Sequence, residues 1–324
     1  MLDSVSYIHA SYFMGAGLCV GFGAIGAALG EGYAAGQANE ALAYRPEKSG
    51  EVIKNMLVGQ AIAESAAIFA LVVALILLFG EPETNHSILV AWASLGAGLS
   101  MGLSAIGSGI GAGLPAGTAC VGIVRQPANS SKIMTSMLIG SAVCQTPAIF
   151  GMVISFLLIF LDFSNMPVYP GWAALLGAGL ATGLAAIGPG LGNGLTSMDA
   201  VGGVARNPGT GTELNRVMLI ALSVAQSTAI YGFLVSLILL FMGIKENTSL
   251  TASMALLGAG FCSGFGGIGP GIGEGFTGAK ACAAIARRPQ EVSLLTRTML
   301  VGQAVSESTG IYSLVVSLLL LTLM

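Results

Sequence analysis

One spacing constrains this chain more than any single residue does: positions 81 apart are alike. Gly15, Gly96, Gly177 and Gly258 keep that spacing, as do Gly26, Gly107, Gly188 and Gly269, and again Pro46, Pro127, Pro208 and Pro289. Four such units fill the 324 residues without a net insertion or deletion. A period of this kind means one supersecondary unit repeated in tandem. The expected units are 1–81, 82–162, 163–243 and 244–324.

Each unit reads as two apolar segments around a polar loop. With 54% hydrophobic and 8% charged residues, the chain is not a soluble domain. Runs such as Met56 to Phe79 and Met299 to Met324 exceed the roughly 20 residues that cross a bilayer as helix. The first segment of each unit is glycine-rich, as in Gly15, Gly17, Gly21, Gly23, Gly26 and Gly30. Small residues at three- and four-residue steps let a neighbouring backbone lie close. Such a helix survives in lipid because its backbone has no other hydrogen-bond partner there. The second segment is bulkier, ends in runs such as Ala70 to Phe79, and is expected to face lipid.

The fold class is therefore an all-α membrane protein of eight transmembrane helices in four tandem hairpins. The spans are expected near Tyr7–Ala43, Val52–Phe79, Ser87–Val121, Lys132–Leu161, Tyr169–Val201, Glu213–Phe241, Leu250–Ala284 and Val292–Leu323. Pro115, Pro147, Pro189 and Pro270 should bend their helices. The N-terminus, Met1 to His9, lacks the basic region of a cleaved signal peptide. The five cysteines (Cys19, Cys120, Cys144, Cys262, Cys282) show no ligand spacing and are expected to be small apolar fillers.

Charge sets the orientation. Of 12 Lys and Arg, only Lys245 lies in a connection between units, where Glu81, Glu83, Asp162 and Glu246 collect. The others, from Arg45 and Lys48 to Arg288 and Arg297, lie in or beside the loops within units. Positive charge stays inside, so those loops are expected in the cytoplasm and both termini opposite. All units then share one orientation, unlike the inverted repeats of many transporters. The net charge of −3 says little by itself, and no nucleic-acid partner is expected.

Two carboxylates break the apolar pattern. Val58 to Ser65 and its near copy Val301 to Ser308 place Glu64 and Glu307 in mid-span. A bare charge there costs at least ~2.5–3.5 kcal/mol on insertion scales, which makes it a functional-site hypothesis by default.

A glycine-rich helix, a loop with Arg-x-Pro (Arg125-Gln126-Pro127, Arg206-Asn207-Pro208, Arg287-Arg288-Pro289) and a helix with a mid-membrane Glu resemble the proteolipid c-subunit of the rotary ATP synthases. The resemblance covers the whole chain four times over, with Arg45-Pro46 contiguous in unit one. Arg-Gln-Pro resembles the F-type branch more than the vacuolar proteolipids. The departure is the fusion, since the F-type proteolipid usually has one hairpin and vacuolar-type proteolipids often have two.

The resemblance implies a homo-oligomeric rotor ring in membrane lipid, glycine-rich helices inside and carboxylate helices outside. Central-stalk subunits would bind the loops at Arg45, Pro46, Arg125, Gln126, Pro127, Arg206, Pro208, Arg287, Arg288 and Pro289. Ions would ride on the carboxylates past the stator a-subunit, whose essential Arg lies on another polypeptide. No catalysis by the chain and no covalently bound cofactor are implied; the cargo is Na+ or H+.

The register lets each position be read four times. The outer-helix carboxylate position holds Glu64, Gln145, Gln226 and Glu307; the facing inner-helix position holds Glu31, Ala112, Asn193 and Glu274. One turn earlier stand Gln60, Ser141, Leu222 and Gln303. Both Glu and the Gln occur together in units one and four and are absent together from two and three. Glutamine cannot ionise, so units two and three are expected to be spacers, with two ion sites per chain.

The next position always carries a hydroxyl: Ser65, Thr146, Ser227 and Ser308. In sodium-binding family members a neighbouring hairpin supplies such a hydroxyl and a carbonyl three residues earlier, here that of Ile62, Val143, Val224 or Val305. On that reading Thr146 or Ser227 would complete a neighbour's site. The alternative is that these hydroxyls bond to their own helix. Tyr231 and Tyr312 match the family position whose hydroxyl orders the carboxylate, where Phe69 and Phe150 lack it; Thr228 and Thr309 match a second hydroxyl position.

Two carboxylates at one buried site cannot both stay charged without a counter-ion. Oxygen-only ligands suit a hard cation, so Na+ is favoured over H+ at Glu31, Glu64, Ser65, Glu274, Glu307 and Ser308. Halving the carboxylates halves the ions moved per turn, which favours ATP-driven pumping. The alternative is a secondary transporter or channel with the glutamates lining its pathway; parallel repeats and the Arg-x-Pro loops argue against it.

Overall fold

A computed structural model describes residues 4–80, 88–246 and 248–322. The expected helix ends at Ser87 and Leu323, and the acidic Glu81 and Glu83, lie outside the described residues. Within them run α1 (Ser4–Tyr44), α2 (Ser49–Phe79), α3 (Ile88–Arg125), α4 (Ser130–Cys144), α5 (Thr146–Phe160), α6 (Val168–Ala185), α7 (Ile187–Arg206), α8 (Gly211–Ala225), α9 (Ser227–Phe241), α10 (Leu250–Arg287) and α11 (Val292–Thr322). They make eight spans long and apolar enough to cross a membrane, paired as four tandem hairpins. This is an integral multi-pass membrane protein.

The loops are shorter than the composition suggests. Each is a single 3₁₀ turn, Pro46–Lys48, Pro127–Asn129, Pro208–Thr210 or Pro289–Glu291. A residue before proline is pushed out of helical dihedrals, so every inner helix stops at one position. Arg45, Gln126, Asn207 and Arg288 accordingly have φ between −143° and −133°. Their carbonyls accept from Lys48, Asn129, Thr210 and Glu291 N–H at 3.0–3.1 Å, closing the turn. Arg125, Arg206 and Arg287, expected in the loops, are instead the last helical residues. There a cation complements the helix C-terminus.

Breaks within spans follow proline only in part. The helix is interrupted at Gln145, two residues before Pro147, and at Ala186, three before Pro189. Pro115 and Pro270 lie inside continuous helices. A further interruption at Gln226 has no proline beside it. Tyr169 and Pro170 are non-helical, so regular helix in that span begins later than expected.

The inner helices stand in a row, α1 against α3, α3 against α6 and α7, and these against α10. Outer helix α2 fills the groove between α1 and α3; α4 and α5 fill the next, α8 and α9 the one after. Lipid is as apolar as leucine, so close packing and hydrogen bonds, not burial alone, must hold such spans together. Glycine provides the close packing. A Cβ on Gly98 would strike the carbonyl oxygen of Gly15, on Gly179 that of Gly96, and on Gly260 that of Gly177. Serine provides a bond within three hairpins: Ser155, Ser236 and Ser317 donate to Ala97, Ala178 and Ala259 carbonyls at 2.7, 2.6 and 3.0 Å. All five cysteines are free, four of them buried.

Candidate ion-binding site

The hairpin register brings the polar residues of the spans to one level. Gln60 Nε2 donates to the Glu31 carbonyl at 3.1 Å, Ser141 Oγ to that of Ala112 at 3.0 Å, and Gln303 Nε2 to that of Glu274 at 3.2 Å. Leu222 has no such group. These bonds tie the inner helix to the outer one a turn before the carboxylate. The bonds from Gln60 and Gln303 thereby bring Glu31 to the level of Glu64 and Glu274 to that of Glu307.

The two pairs differ in their surroundings. Glu274 is fully buried, and neither of its carboxylate oxygens has a hydrogen-bond partner. Gln303, also buried, donates a second bond to the Ala221 carbonyl at 3.0 Å. Glu307 is half-buried and accepts from the Tyr231 hydroxyl at 2.6 Å. Glu31 is half-buried and Glu64 exposed. Val305 and Tyr312 are also exposed, 68% and 65%.

Hydroxyls of the outer helices turn to their own backbone. Ser65 donates to the Ile62 carbonyl at 2.6 Å, Ser308 to that of Val305 at 2.7 Å, and Thr309 to that of Ser306 at 3.1 Å. Thr146 and Ser227 open α5 and α9, directly after the interruptions, and are half-buried. Ser306, not singled out from the sequence, donates to the Pro270 carbonyl at 3.4 Å and so ties α11 to α10 beside the carboxylates.

The glutamines of the middle hairpins reach across hairpin boundaries. Gln145 Nε2 donates to the Ile62 carbonyl at 2.8 Å, and Gln226 Nε2 to that of Val143 at 3.4 Å. Each lies 83 residues from its acceptor, which is two more than the repeat. The polar group of one unit therefore meets a carbonyl of the preceding unit. Asn193, at the inner position of unit three, is fully buried with neither amide atom partnered; its amide is polar but cannot take a charge.

Carboxylates, carbonyls and hydroxyls form an all-oxygen set, the kind that holds a hard cation or a proton. Among the described residues no three His, Cys, Asp or Glu gather as a transition metal would require. The loop residues Arg45, Pro46, Arg125, Gln126, Pro127, Arg206, Pro208, Arg287, Arg288 and Pro289 lie together at the turn end of the spans, well away from this level.

Comparison with known proteins identifies this arrangement. The family model for the ATP synthase c-subunit matches four times, at residues 14–77, 95–158, 176–239 and 257–320. The chain belongs to the ATP synthase c-subunit family. As a member it is a rotor-ring component of an ion-coupled ATP synthase or ATPase, and is not itself the catalyst. The ATP synthase c-subunit of Thermotoga petrophila is 55% identical over 65 residues, 20% of this chain and 76% of the relative. That of Natranaerobius thermophilus is 45% identical over 82 residues, 25% of this chain and 94% of the relative. The A-type ATP synthase K-subunit of Methanocaldococcus jannaschii is 31% identical over 205 residues, 63% of this chain and 84% of the relative. The chain thus resembles both single-repeat bacterial c-subunits and a longer archaeal K-subunit.

Proposed function

We propose that this protein carries Na+, in preference to H+, on two of its four hairpins. Units 1–81 and 244–324 bind the ion at Glu31 with Glu64 and at Glu274 with Glu307; units 82–162 and 163–243 are spacers. The observation that carries the reading is the segregation of the carboxylates. Both members of each pair fall in the first and last hairpins, while Gln145 and Gln226 in the middle hairpins are held by neighbouring carbonyls. A paired site with an all-oxygen lining holds a cation with one proton, or two protons, without an uncompensated charge in the membrane.

In this reading several copies close a ring in the plasma membrane of a prokaryote, loops in the cytoplasm on the central stalk. Ions exchange against the stator a-subunit, which supplies a positive charge. Two ions per chain instead of four halve the ions moved per turn, so each can be driven against a steeper gradient, and the complex favours pumping. Reconstituted vesicles test this through ATP-driven 22Na+ uptake and the ion-to-ATP ratio. The expected result is Na+ uptake with a ratio matching two ions per chain. A ratio matching one ion per hairpin, or uptake of H+ that Na+ leaves unaffected, would refute it.

A further inference from the structure

Toward the turns the outer helices are separated by grooves, and the repeat presents one groove twice. Between α4 and α8 it is a hollow of about 240 Å³; between α8 and α11 it is one of about 600 Å³. Equivalent positions line both, so their contents compare directly. Ser136, Gly209 and Gly211 of the first stand where the second has Val217, Gln290 and Val292. The first groove is thus lined by small and polar residues. The second has an apolar floor, Val217, Ile220 and Val292, under a polar rim.

That rim carries two cations. Thr135 of the first groove is replaced by Arg216 on α8, and Arg297 holds the same register position on α11. Arg297 is in no ion pair among the described residues. Arg216 lies 3.7 Å from Glu213 in a pair open to water, which engages it only weakly. Two guanidinium groups therefore face one carboxylate across the hollow. Thr296, on the same wall, has a buried hydroxyl oxygen without a hydrogen-bond partner.

Depth gives these cations a meaning. Arg297 precedes Glu307 by 10 residues, as Arg216 precedes Gln226. Helix of that length rises about 15 Å, half of a hydrocarbon core about 30 Å thick. With the carboxylate level at mid-membrane, both guanidinium groups reach the boundary where phospholipid phosphates lie. Ile220, a turn deeper, lies where acyl chains begin. The hollow repeats the polarity profile of a lipid, with cations at phosphate depth and hydrocarbon beneath. Arginine matches phosphate oxygens with paired N–H donors, and basic pockets between membrane helices hold anionic head groups.

We infer that the groove between α8 and α11 binds one anionic glycerophospholipid per chain. Arg216 and Arg297 hold its phosphate, the Thr296 hydroxyl donates to a phosphate oxygen, and the acyl chains lie over Val217 and Ile220. The groove between α4 and α8, with threonine for arginine and serine and glycine for valine, takes none. The lipid occupies the leaflet nearest the turns, whichever ion the ring carries, and turns with the outer helices of units three and four.

The test is native mass spectrometry of intact detergent-purified rings titrated with phosphatidylglycerol or with phosphatidylcholine of identical acyl chains. Wild-type rings are expected to hold one phosphatidylglycerol per chain and to bind phosphatidylcholine about tenfold more weakly. Threonine already stands at the equivalent Thr135, so Arg216→Thr and Arg297→Thr should assemble; the mass of the ring checks this. Each is expected to weaken phosphatidylglycerol about fivefold, the scale of one cation beside an anionic head group. Lys132→Thr, which removes a cation from the other groove, is expected to change nothing. Equal binding of the two lipids by wild-type rings overturns the inference without needing a variant. Arginine variants that bind like wild type also overturn it, as does a Lys132→Thr ring weakened as much as they are, since binding would then follow overall charge. Inorganic phosphate that displaces phosphatidylglycerol at equal concentration overturns it too, because the site would then recognise a free anion and not a lipid.

Discussion

Replacing Gln145 by leucine tests whether the middle hairpins are spacers. The Gln145 amide makes one hydrogen bond, 2.8 Å to the Ile62 carbonyl, and leaves its own Oε1 buried without a partner. Losing such a bond costs about 0.5–1.5 kcal/mol in soluble proteins and averages about 0.6 kcal/mol within membranes. Removing the orphaned oxygen recovers up to about 1–3 kcal/mol of desolvation penalty. The Ile62 carbonyl is not left bare, because Ser65 Oγ still donates to it at 2.6 Å. Leucine also fits the apolar surroundings of a residue that is 7% exposed. The balance runs from about 0.5 kcal/mol destabilising to about 2.5 kcal/mol stabilising.

Gln145→Leu rings should therefore assemble, dissociate on heating in detergent close to or above the wild-type temperature, and transport the same number of ions per ATP. Glu64→Leu, made in parallel, should assemble and lose coupled transport. The assay is ATP-driven 22Na+ uptake by vesicles holding the whole complex, with ring integrity followed on gels. A Gln145→Leu ring that assembles but no longer couples ATP hydrolysis to transport would refute the reasoning, since the amide would then take part in moving ions.

Three further outcomes follow from packing and from the exposed connections. Gly179→Ala places a Cβ against the Gly96 carbonyl oxygen, and overpacking of this kind costs about 1–3 kcal/mol; the ring should dissociate at lower temperature. Gly50→Ala, where a Cβ meets nothing within 4 Å, should leave dissociation unchanged or raise it slightly, by the ~0.4–1 kcal/mol of reduced unfolded-state entropy. In the connection between units two and three, the Ser164 N–H and hydroxyl both donate to Asp162 at 2.8 Å, which holds this carboxyl below its ordinary value of 3.8. A depressed carboxyl contributes stability above its unfolded value and loses it as pH falls through the folded one. Ser164→Ala removes the hydroxyl bond and keeps the N–H one, so it should move the Asp162 midpoint part of the way up toward the ordinary value in a residue-specific NMR titration; an unchanged midpoint would show that the hydroxyl does not contribute.

Much of this architecture can be read from the residues, and the reason differs by feature. The eight spans follow from apolar runs longer than a bilayer, and the four hairpins from the 81-residue period. The exact stopping point of each inner helix was harder to see. Arg125, Arg206 and Arg287 look like loop residues by charge, yet the proline two positions later ends the helix only at the residue between them. Inside the spans proline locates the interruptions only in part, since Pro147 and Pro189 accompany them whereas Pro115 and Pro270 lie in continuous helix. A lone helix cannot tell which, because the outcome depends on what neighbouring backbone does with the freed carbonyl.

The candidate site divides in the same way. That Glu31, Glu64, Glu274 and Glu307 belong to two pairs, and that Gln145 and Gln226 stand in equivalent places, is a property of the sequence alone, because a repeat makes equivalent positions comparable without coordinates. What the repeat could not say is which unit completes which. A tyrosine and a glutamate in equivalent registers contact each other only if the outer helix of one hairpin lies in the groove leading to the next, and that is settled by how glycine-lined backbones pack. Only the tertiary structure shows that Tyr231 reaches forward to Glu307 and that Gln145 reaches back to Ile62.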